Sequence, residues 1–214
     1  SFQGYLIPGQ GSSLRTSYQF PVSEDRTVFR FVARPDSYTV KADSLVPYTI
    51  DSVSLSVSVV YRDTSVKHLR VFLYRMPATV DSGVTFPEAD TAFTPANLID
   101  SLLVDDTTIA VRLETILKGT TLGRIAIAPA DSGKLAIGVQ IRADQGTGAR
   151  IGSTGTLAPA FITYVTIPNG DSTIPGTPLT RSISFATFVS QSLPVADPSL
   201  LTVGGAPSAR SLIR

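Results

Sequence analysis

A ten-residue segment with strict alternation constrains the fold of this chain more than any other feature. Residues 52–61 read SVSLSVSVVY, so serines alternate with Val53, Leu55, Val57 and Val59. A period of two places the apolar side chains on one face of a β-strand and the serines on the other. At about 3.3 Å per residue, such a strand is roughly 33 Å long. The pattern predicts a strand with one face in a core and a flat serine face that is either solvated or closely approached by another surface.

Strand patterns with turn residues between them continue through most of the chain. Further strands are predicted at 27–33, 68–76, 98–104, 107–113, 124–128, 135–143, 160–167 and 183–190. Only the segment Arg112–Gly119 looks helical, and it ends at a glycine, a usual C-cap residue. Many strands without alternating helices predict an all-β fold, and we predict an antiparallel β-sandwich of jelly-roll type.

The two ends of the chain differ from its middle. We predict one sandwich domain at residues 21–190, with an extended N-terminal arm at 1–20 and an extended C-terminal arm at 191–214. Both arms carry short apolar groups, whereas a flexible tail is usually more polar. The arms therefore either pack on their own domain or bind a partner by strand addition or groove filling. The candidate partner-binding residues are Tyr5, Leu6, Ile7, Leu200, Leu201, Leu212 and Ile213.

Composition excludes several kinds of site. The chain has no cysteine, which rules out disulfides, zinc–thiolate sites, iron–sulfur clusters and cysteine nucleophiles. Eighteen basic residues against 17 acidic ones leave a net charge of +1, which argues against nucleic acid as a partner. We predict that the protein is not an enzyme and has no catalytic residue. The alternative is a hydrolase centred on the sole histidine, His68, whose pKa the neighbouring Lys67 and Arg70 are expected to lower.

An acidic segment supplies the one candidate metal site. Six acidic residues and no basic ones lie between Asp81 and Asp106. Calcium binds several carboxylate and carbonyl oxygens, so it is the one cofactor that we consider. The alternative is that this segment forms surface ion pairs with the basic stretch at 62–75. The candidate calcium ligands are Glu88, Asp90, Asp105 and Asp106.

Carbohydrate binding is the second candidate function. Sugar-binding β-sandwiches stack sugar rings on exposed aromatic side chains, and Tyr38 and Tyr48 lie in loop-like sequence that favours exposure. Tyrosines also line the rims of sandwiches, with the ring inside and the hydroxyl in water. Both interpretations stay open, and a polysaccharide is the partner that the first one predicts.

Four segments occur in an order that resembles a known family. They are the alternating strand Val53–Val59, the strand Val71–Pro77 running into an acidic loop, the stretch Ile109–Gly119, and Pro159–Tyr164 after a glycine and serine loop. Over about half of the chain, this order resembles the secreted jelly-roll modules of the DNRLRE group. The resemblance implies an extracytoplasmic, non-catalytic β-sandwich attached to something larger, and it transfers no site residue.

The remaining features concern compartment and partners. No apolar run approaches the ~20 residues of a membrane span, and charged residues are only 16% of the chain, against about 25% in typical domains. The chain begins at Ser1, which we interpret as the result of processing. Together these features predict a structural or accessory subunit of an extracytoplasmic or membrane-associated assembly, in the periplasm, on the cell surface or secreted. Its predicted partners are other protein subunits.

Overall fold

The structure, a computed structural model, describes residues 11–19, 23–35, 37–40, 44–125 and 133–192. These residues form thirteen strands and one short α-helix, and all of the pairings between the strands are antiparallel. The all-β antiparallel fold predicted from the sequence is confirmed. Its jelly-roll connectivity stays a prediction.

The secondary-structure elements follow one another along the chain with short connections. The strands are β1 (Ser13–Gln19), β2 (Ser23–Phe31), β3 (Tyr38–Val40), β4 (Ser44–Val46), β5 (Thr49–Arg62), β6 (Arg70–Met76), β7 (Leu98–Leu103), β8 (Val111–Lys118), β9 (Leu135–Arg142), β10 (Thr147–Gly152), β11 (Ala160–Asn169), β12 (Ser172–Arg181) and β13 (Ile183–Ser192). Helix α1 spans Phe86–Asp90, and 3-10 turns occupy Pro95–Asn97, Gly119–Ile125 and Gly155–Leu157. In the described part of the chain, the helical segments are too short to cross a bilayer.

One curled sheet contains eleven of the strands. We call β12, β11, β5 and β8 the first half-sheet, in that order across the sheet. The second half-sheet runs β13, β2, β9, β6, β7. Strands β10 and β1 join the C-terminal end of β5 to β2, and β3 and β4 form a separate hairpin.

The core lies between the two half-sheets. The four alternating apolar residues of β5 are almost completely buried, as the period of two predicted. They belong to one cluster with the buried side chains of β2, β6 and β9 from the second half-sheet. The rings of Phe31 and Phe161 connect the half-sheets at a centroid distance of 5.4 Å.

Helix α1 covers the outer face of the second half-sheet. Its residues Phe86 and Ala89 pack with Val28 and Ala136 in a second apolar cluster. The sequence analysis did not predict this helix, although Thr85-Phe-Pro-Glu88 carries a recognisable signal. Glu88 accepts hydrogen bonds from both the amide and the hydroxyl of Thr85, each at 2.8 Å, as in a capping box.

Three secondary-structure predictions are wrong in whole or in part. The strand predicted at 107–113 begins only at Val111, because residues 107–110 belong to the turn before it. The segment predicted as a helix at 112–119 is strand β8, which pairs with β5 along its whole length from Val111 to Lys118. Tertiary pairing overrides the helix-like spacing, because alternate residues such as Leu117 enter the core. Of the strand predicted at 124–128, Arg124 and Ile125 lie in a 3-10 turn, and the rest lies outside the described residues.

Part of the predicted N-terminal arm belongs to the sheet. Residues 13–18 pair with β10, so β1 is an internal strand of the curled sheet. At the other end, β13 pairs with β2 as far as Ser192. The seven apolar arm residues proposed to bind a partner lie outside the described residues, so their role stays a prediction.

Candidate functional site

The outer face of the first half-sheet has a floor of small hydroxyl groups. We call this surface the serine face: Ser52, Ser54, Ser56 and Ser58 of β5, together with the outward-facing residues of β8 and β11. Although these serines face away from the core, Ser54, Ser56 and Ser58 are only 3–5% exposed. They are covered by the side chains of Arg112 and Glu114 on β8, which form hydrogen bonds with them.

Two charged side chains of β8 bind the serine hydroxyls directly. Arg112 donates to Ser56 Oγ from Nη2 at 2.8 Å and to Ser58 Oγ from Nη1 at 3.3 Å. Its Nη1 also donates to the carbonyl of Thr156 at 3.0 Å. Glu114 accepts a hydrogen bond from Ser54. The sequence predicted a serine face that is either solvated or closely approached by another surface. Within the chain itself the second interpretation holds, because neighbouring side chains contact the hydroxyls.

An apolar side chain projects beside this polar floor. Ile116 is 61% exposed, the largest fraction among the large apolar residues of the described chain. The strand register places it opposite Ser54, with Ile162 opposite Ser54 on the other side. Ser54 therefore lies between two branched apolar side chains, Ile116 on β8 and Ile162 on β11.

A wide cleft adjoins the serine face. Its volume is about 600 Å³, and its walls come from Arg112, the 153–160 segment, the end of β12 and the start of β13. Arg112 thus takes part in both surfaces. A flat hydroxyl floor with an exposed apolar anchor and an open cleft suits the binding of another macromolecular surface.

His68 lies in a different setting from the predicted one. It precedes β6 in a left-handed conformation, with φ of 54°. Its Nδ1 lies 2.6 Å from Oδ2 of Asp144, and its backbone amide donates to Asp106 Oδ1 at 2.8 Å. The expected lowering of its pKa is wrong: the hydrogen bond to Asp144, with the nearby charges of Asp144 and Asp106, raises the pKa of His68 above its ordinary value.

The four candidate calcium ligands each form hydrogen bonds with other groups of the chain. Asp90 Oδ1 accepts from Arg26 Nη1 at 2.6 Å, and Glu88 caps α1. The hydrogen bonds from the Thr107 hydroxyl and amide hold the pKa of Asp105 below its ordinary value. Within the described ranges, no group of three or more metal-ligating side chains comes together. Calcium binding stays a prediction.

The two candidate sugar-binding tyrosines are both half-buried. Tyr38 lies in the hairpin of β3 and β4, and Tyr48 follows that hairpin. The hydroxyl of Tyr48 donates to the carbonyl of Pro35, and the Arg34 guanidinium lies 5.5 Å from its ring centroid. One face of Tyr48 is thus occupied by a cation, and carbohydrate binding stays a prediction.

Sequence reasoning missed the main features of the serine face beyond the serines themselves. Arg112, Glu114 and Ile116 occupy alternate positions of β8, which places them on one face of a strand. That signal was present in the sequence, but it was hidden by the helix interpretation of the same segment.

Comparison with known proteins adds no family to this description. No family model matches the chain, and none of the curated proteins does. The similarity to DNRLRE modules stays an expectation from the sequence.

Proposed function

We propose that this protein is a non-enzymatic accessory subunit that binds another protein through its serine face. The proposed location is outside the cytoplasm, in an assembly at or near a membrane. The observation that carries the proposal is the contrast between two parts of the serine face. Ile116 is highly exposed, whereas the hydroxyls of Ser54, Ser56 and Ser58 are hydrogen-bonded within the chain.

The hydrogen bonds of the serine hydroxyls favour the binding of a partner protein over exposure of this face to water. Arg112 and Glu114 bind the serines, so a partner that covers this face meets polar groups whose hydrogen bonds are largely made. Covering satisfied groups avoids the desolvation penalty of about 1–3 kcal/mol that an unpaired buried group carries. An exposed isoleucine then supplies the apolar contact, since burying it contributes about 1.5–3 kcal/mol.

The partner that fits this surface is a protein with an apolar patch on a flat face. A polyanion is a poorer fit, because Arg112 is bonded to Ser56 and the chain has a net charge of only +1. The low fraction of charged residues over the whole chain supports the same conclusion.

The test is native co-migration of the full chain with its partner. Tagged wild-type protein and an Ile116→Lys variant are produced in the source cells, which are then gently solubilised and separated on a density gradient. Mass spectrometry identifies the bands that co-migrate with the tag. We expect wild-type protein in a large complex and the variant as a free chain of 22.7 kDa, because a buried lysine charge opposes association.

A matched control separates this surface from general surface hydrophobicity. Leu103 on β7 is 53% exposed but belongs to the second half-sheet, so Leu103→Lys should leave the complex intact. The proposal is overturned if wild-type protein migrates alone, or if Ile116→Lys co-migrates with the complex as well as wild type does.

A further inference from the structure

A second cavity lies between the half-sheets, beside the N-terminal part of β5. Its volume is about 240 Å³. Three polar residues line it, namely Arg34, Thr163 and Arg181, and each comes from a different segment of the chain. The rest of the wall is apolar and consists of Ile50, Val53, Leu122, Ile125 and Phe161.

The polar atoms in this cavity stand out from those of the remaining described chain. Three buried side-chain polar atoms in the described ranges have no hydrogen-bond partner: Arg34 Nε, Thr163 Oγ1 and Arg181 Nε. All three residues line this one cavity. Arg181 is only 4% exposed and Thr163 only 1%. Because unpaired buried polar groups are unfavourable, their concentration at one place calls for a physical reason.

Both guanidinium groups carry positive charge without a described counterion. Neither arginine forms an ion pair with any carboxylate of the described residues. Burial, with the nearby charge of Arg34, lowers the pKa of Arg181 to about 10. Arg181 therefore stays charged at neutral pH, and no carboxylate of the described residues neutralises it.

The position of Arg181 is fixed before any ligand binds. Its Nη1 donates to the carbonyl of Gly133 at 2.9 Å, and its guanidinium lies 4.6 Å from the ring centroid of Phe161. The amide of Arg34 donates to the same Gly133 carbonyl at 3.1 Å. One backbone oxygen thus anchors both arginine residues, while their Nε groups remain available.

We propose that this cavity binds a small organic carboxylate. The carboxylate would accept hydrogen bonds from Arg34, Arg181 and Thr163, because a planar carboxylate matches the fork of a guanidinium. Its hydrocarbon part would contact the apolar wall of the cavity. An inorganic anion has no apolar part to make that contact. The ligand is small, because pockets for drug-sized molecules measure about 300–1,000 Å³.

The test is binding of hexanoate to the full chain, measured by titration calorimetry. Hexanol serves as the neutral analogue, and acetate and inorganic phosphate serve as anions without a comparable apolar part. We expect hexanoate to bind at least about tenfold more tightly than hexanol, which has no charged acceptor oxygens for the guanidinium groups. We expect the same margin over acetate and phosphate, which lack the hydrocarbon chain that would contact the apolar wall. Equal binding of hexanol, or no binding of hexanoate, overturns the proposal.

Variants place the binding at this cavity. Arg181→Met should weaken hexanoate binding by about tenfold or more, whereas Arg150→Met, at an exposed position of β10, should leave it unchanged. If Arg181→Met does not fold, Thr163→Val keeps the side-chain shape and should still weaken binding. The proposal also fails if hexanoate binds the folded Arg181→Met variant, or the Thr163→Val variant, as tightly as wild type.

Discussion

Arg62 and Arg181 are both buried arginines at the sheet interior, and they differ in what their guanidinium groups contact. Arg62, 1% exposed, ends β5, and its three nitrogens donate to the carbonyls of Asp63, Asp105 and Val66. Arg181 lies toward the other end of β5 and donates one hydrogen bond to Gly133, and its Nε has no hydrogen-bond partner among the described residues. We call the end of the sheet at Arg62 the saturated end, because all three of its guanidinium nitrogens form hydrogen bonds. We call the end at Arg181 the unsaturated end, because its Nε forms none with the described residues.

The difference teaches what a buried arginine does in each place. At Arg62 every nitrogen binds backbone oxygen, so the residue ties the β5–β6 and β7–β8 connections together and stabilises the fold. At Arg181 the neighbour is a second guanidinium, which adds repulsion where Arg62 has acceptors. A buried charge with too few partners contributes little to stability. A bound anionic ligand would supply the partner that the described residues do not provide.

The largest expected effect is at the saturated end. Arg62→Met should lower the free energy of unfolding by about 3 kcal/mol, because three backbone carbonyls lose a charged donor at once. Urea denaturation followed by circular dichroism measures the change. The surface variant Arg150→Met should lower it by less than about 0.5 kcal/mol. If both variants unfold at the same urea concentration, Arg62 does not stabilise the fold in the way described.

A smaller effect is expected at the unsaturated end. In buffer without organic anions, Arg181→Met should change the free energy of unfolding by no more than about 1 kcal/mol, and in the stabilising direction. Replacing a poorly paired buried charge with an apolar side chain of similar length is neutral or favourable. Urea denaturation of this variant beside Arg62→Met tests the comparison directly. A loss as large as that of Arg62→Met would mean that Arg181 also serves the fold, through Gly133.

The sequence predicted the parts of this molecule that depend on local pattern. The alternation in residues 52–61 predicted β5 and its buried face, because a period of two is readable wherever one strand face enters a core. The same reasoning failed at β8, whose alternating Arg112, Glu114 and Ile116 are also compatible with a helix turn. Only the pairing of β8 with β5 decides between the two structures, and a single sequence does not contain that pairing.

The two arginine environments were beyond prediction for a related reason. Arg34 and Arg181 come together only because β12 and the segment after β2 meet at the same end of the curled sheet. Most of β12 is exposed, so nothing in its sequence marks its last residue as buried. Likewise, His68 and Asp144 are 76 positions apart, and the sequence offered His68 only its cationic neighbours.

The smallest expected effect concerns His68, which lies close to Arg62. His68 is paired with the carboxylate of Asp144, whereas Arg181 pairs with none of the described carboxylates. Because Asp144 raises the pKa of His68, the charged histidine is stabilised in the folded state. This stabilisation is fully present below the unfolded pKa of about 6.5 and is lost as the pH rises through the higher folded pKa. It is small, since both side chains are exposed.

His68 is the only histidine in the chain, so one imidazole signal in an NMR pH titration reports its pKa without ambiguity. We expect a midpoint above about 6.5 in wild type and a lower midpoint in Asp144→Asn, because the variant removes both the charge and the strongest hydrogen-bond acceptor. Asp63 lies in the β5–β6 connection with His68 but is hydrogen-bonded to Ser65. The variant Asp63→Asn should therefore leave the midpoint unchanged. If wild type and Asp144→Asn titrate with the same midpoint, Asp144 does not stabilise the charged form of His68. The contrast between a paired His68 and Arg181 would then be weaker.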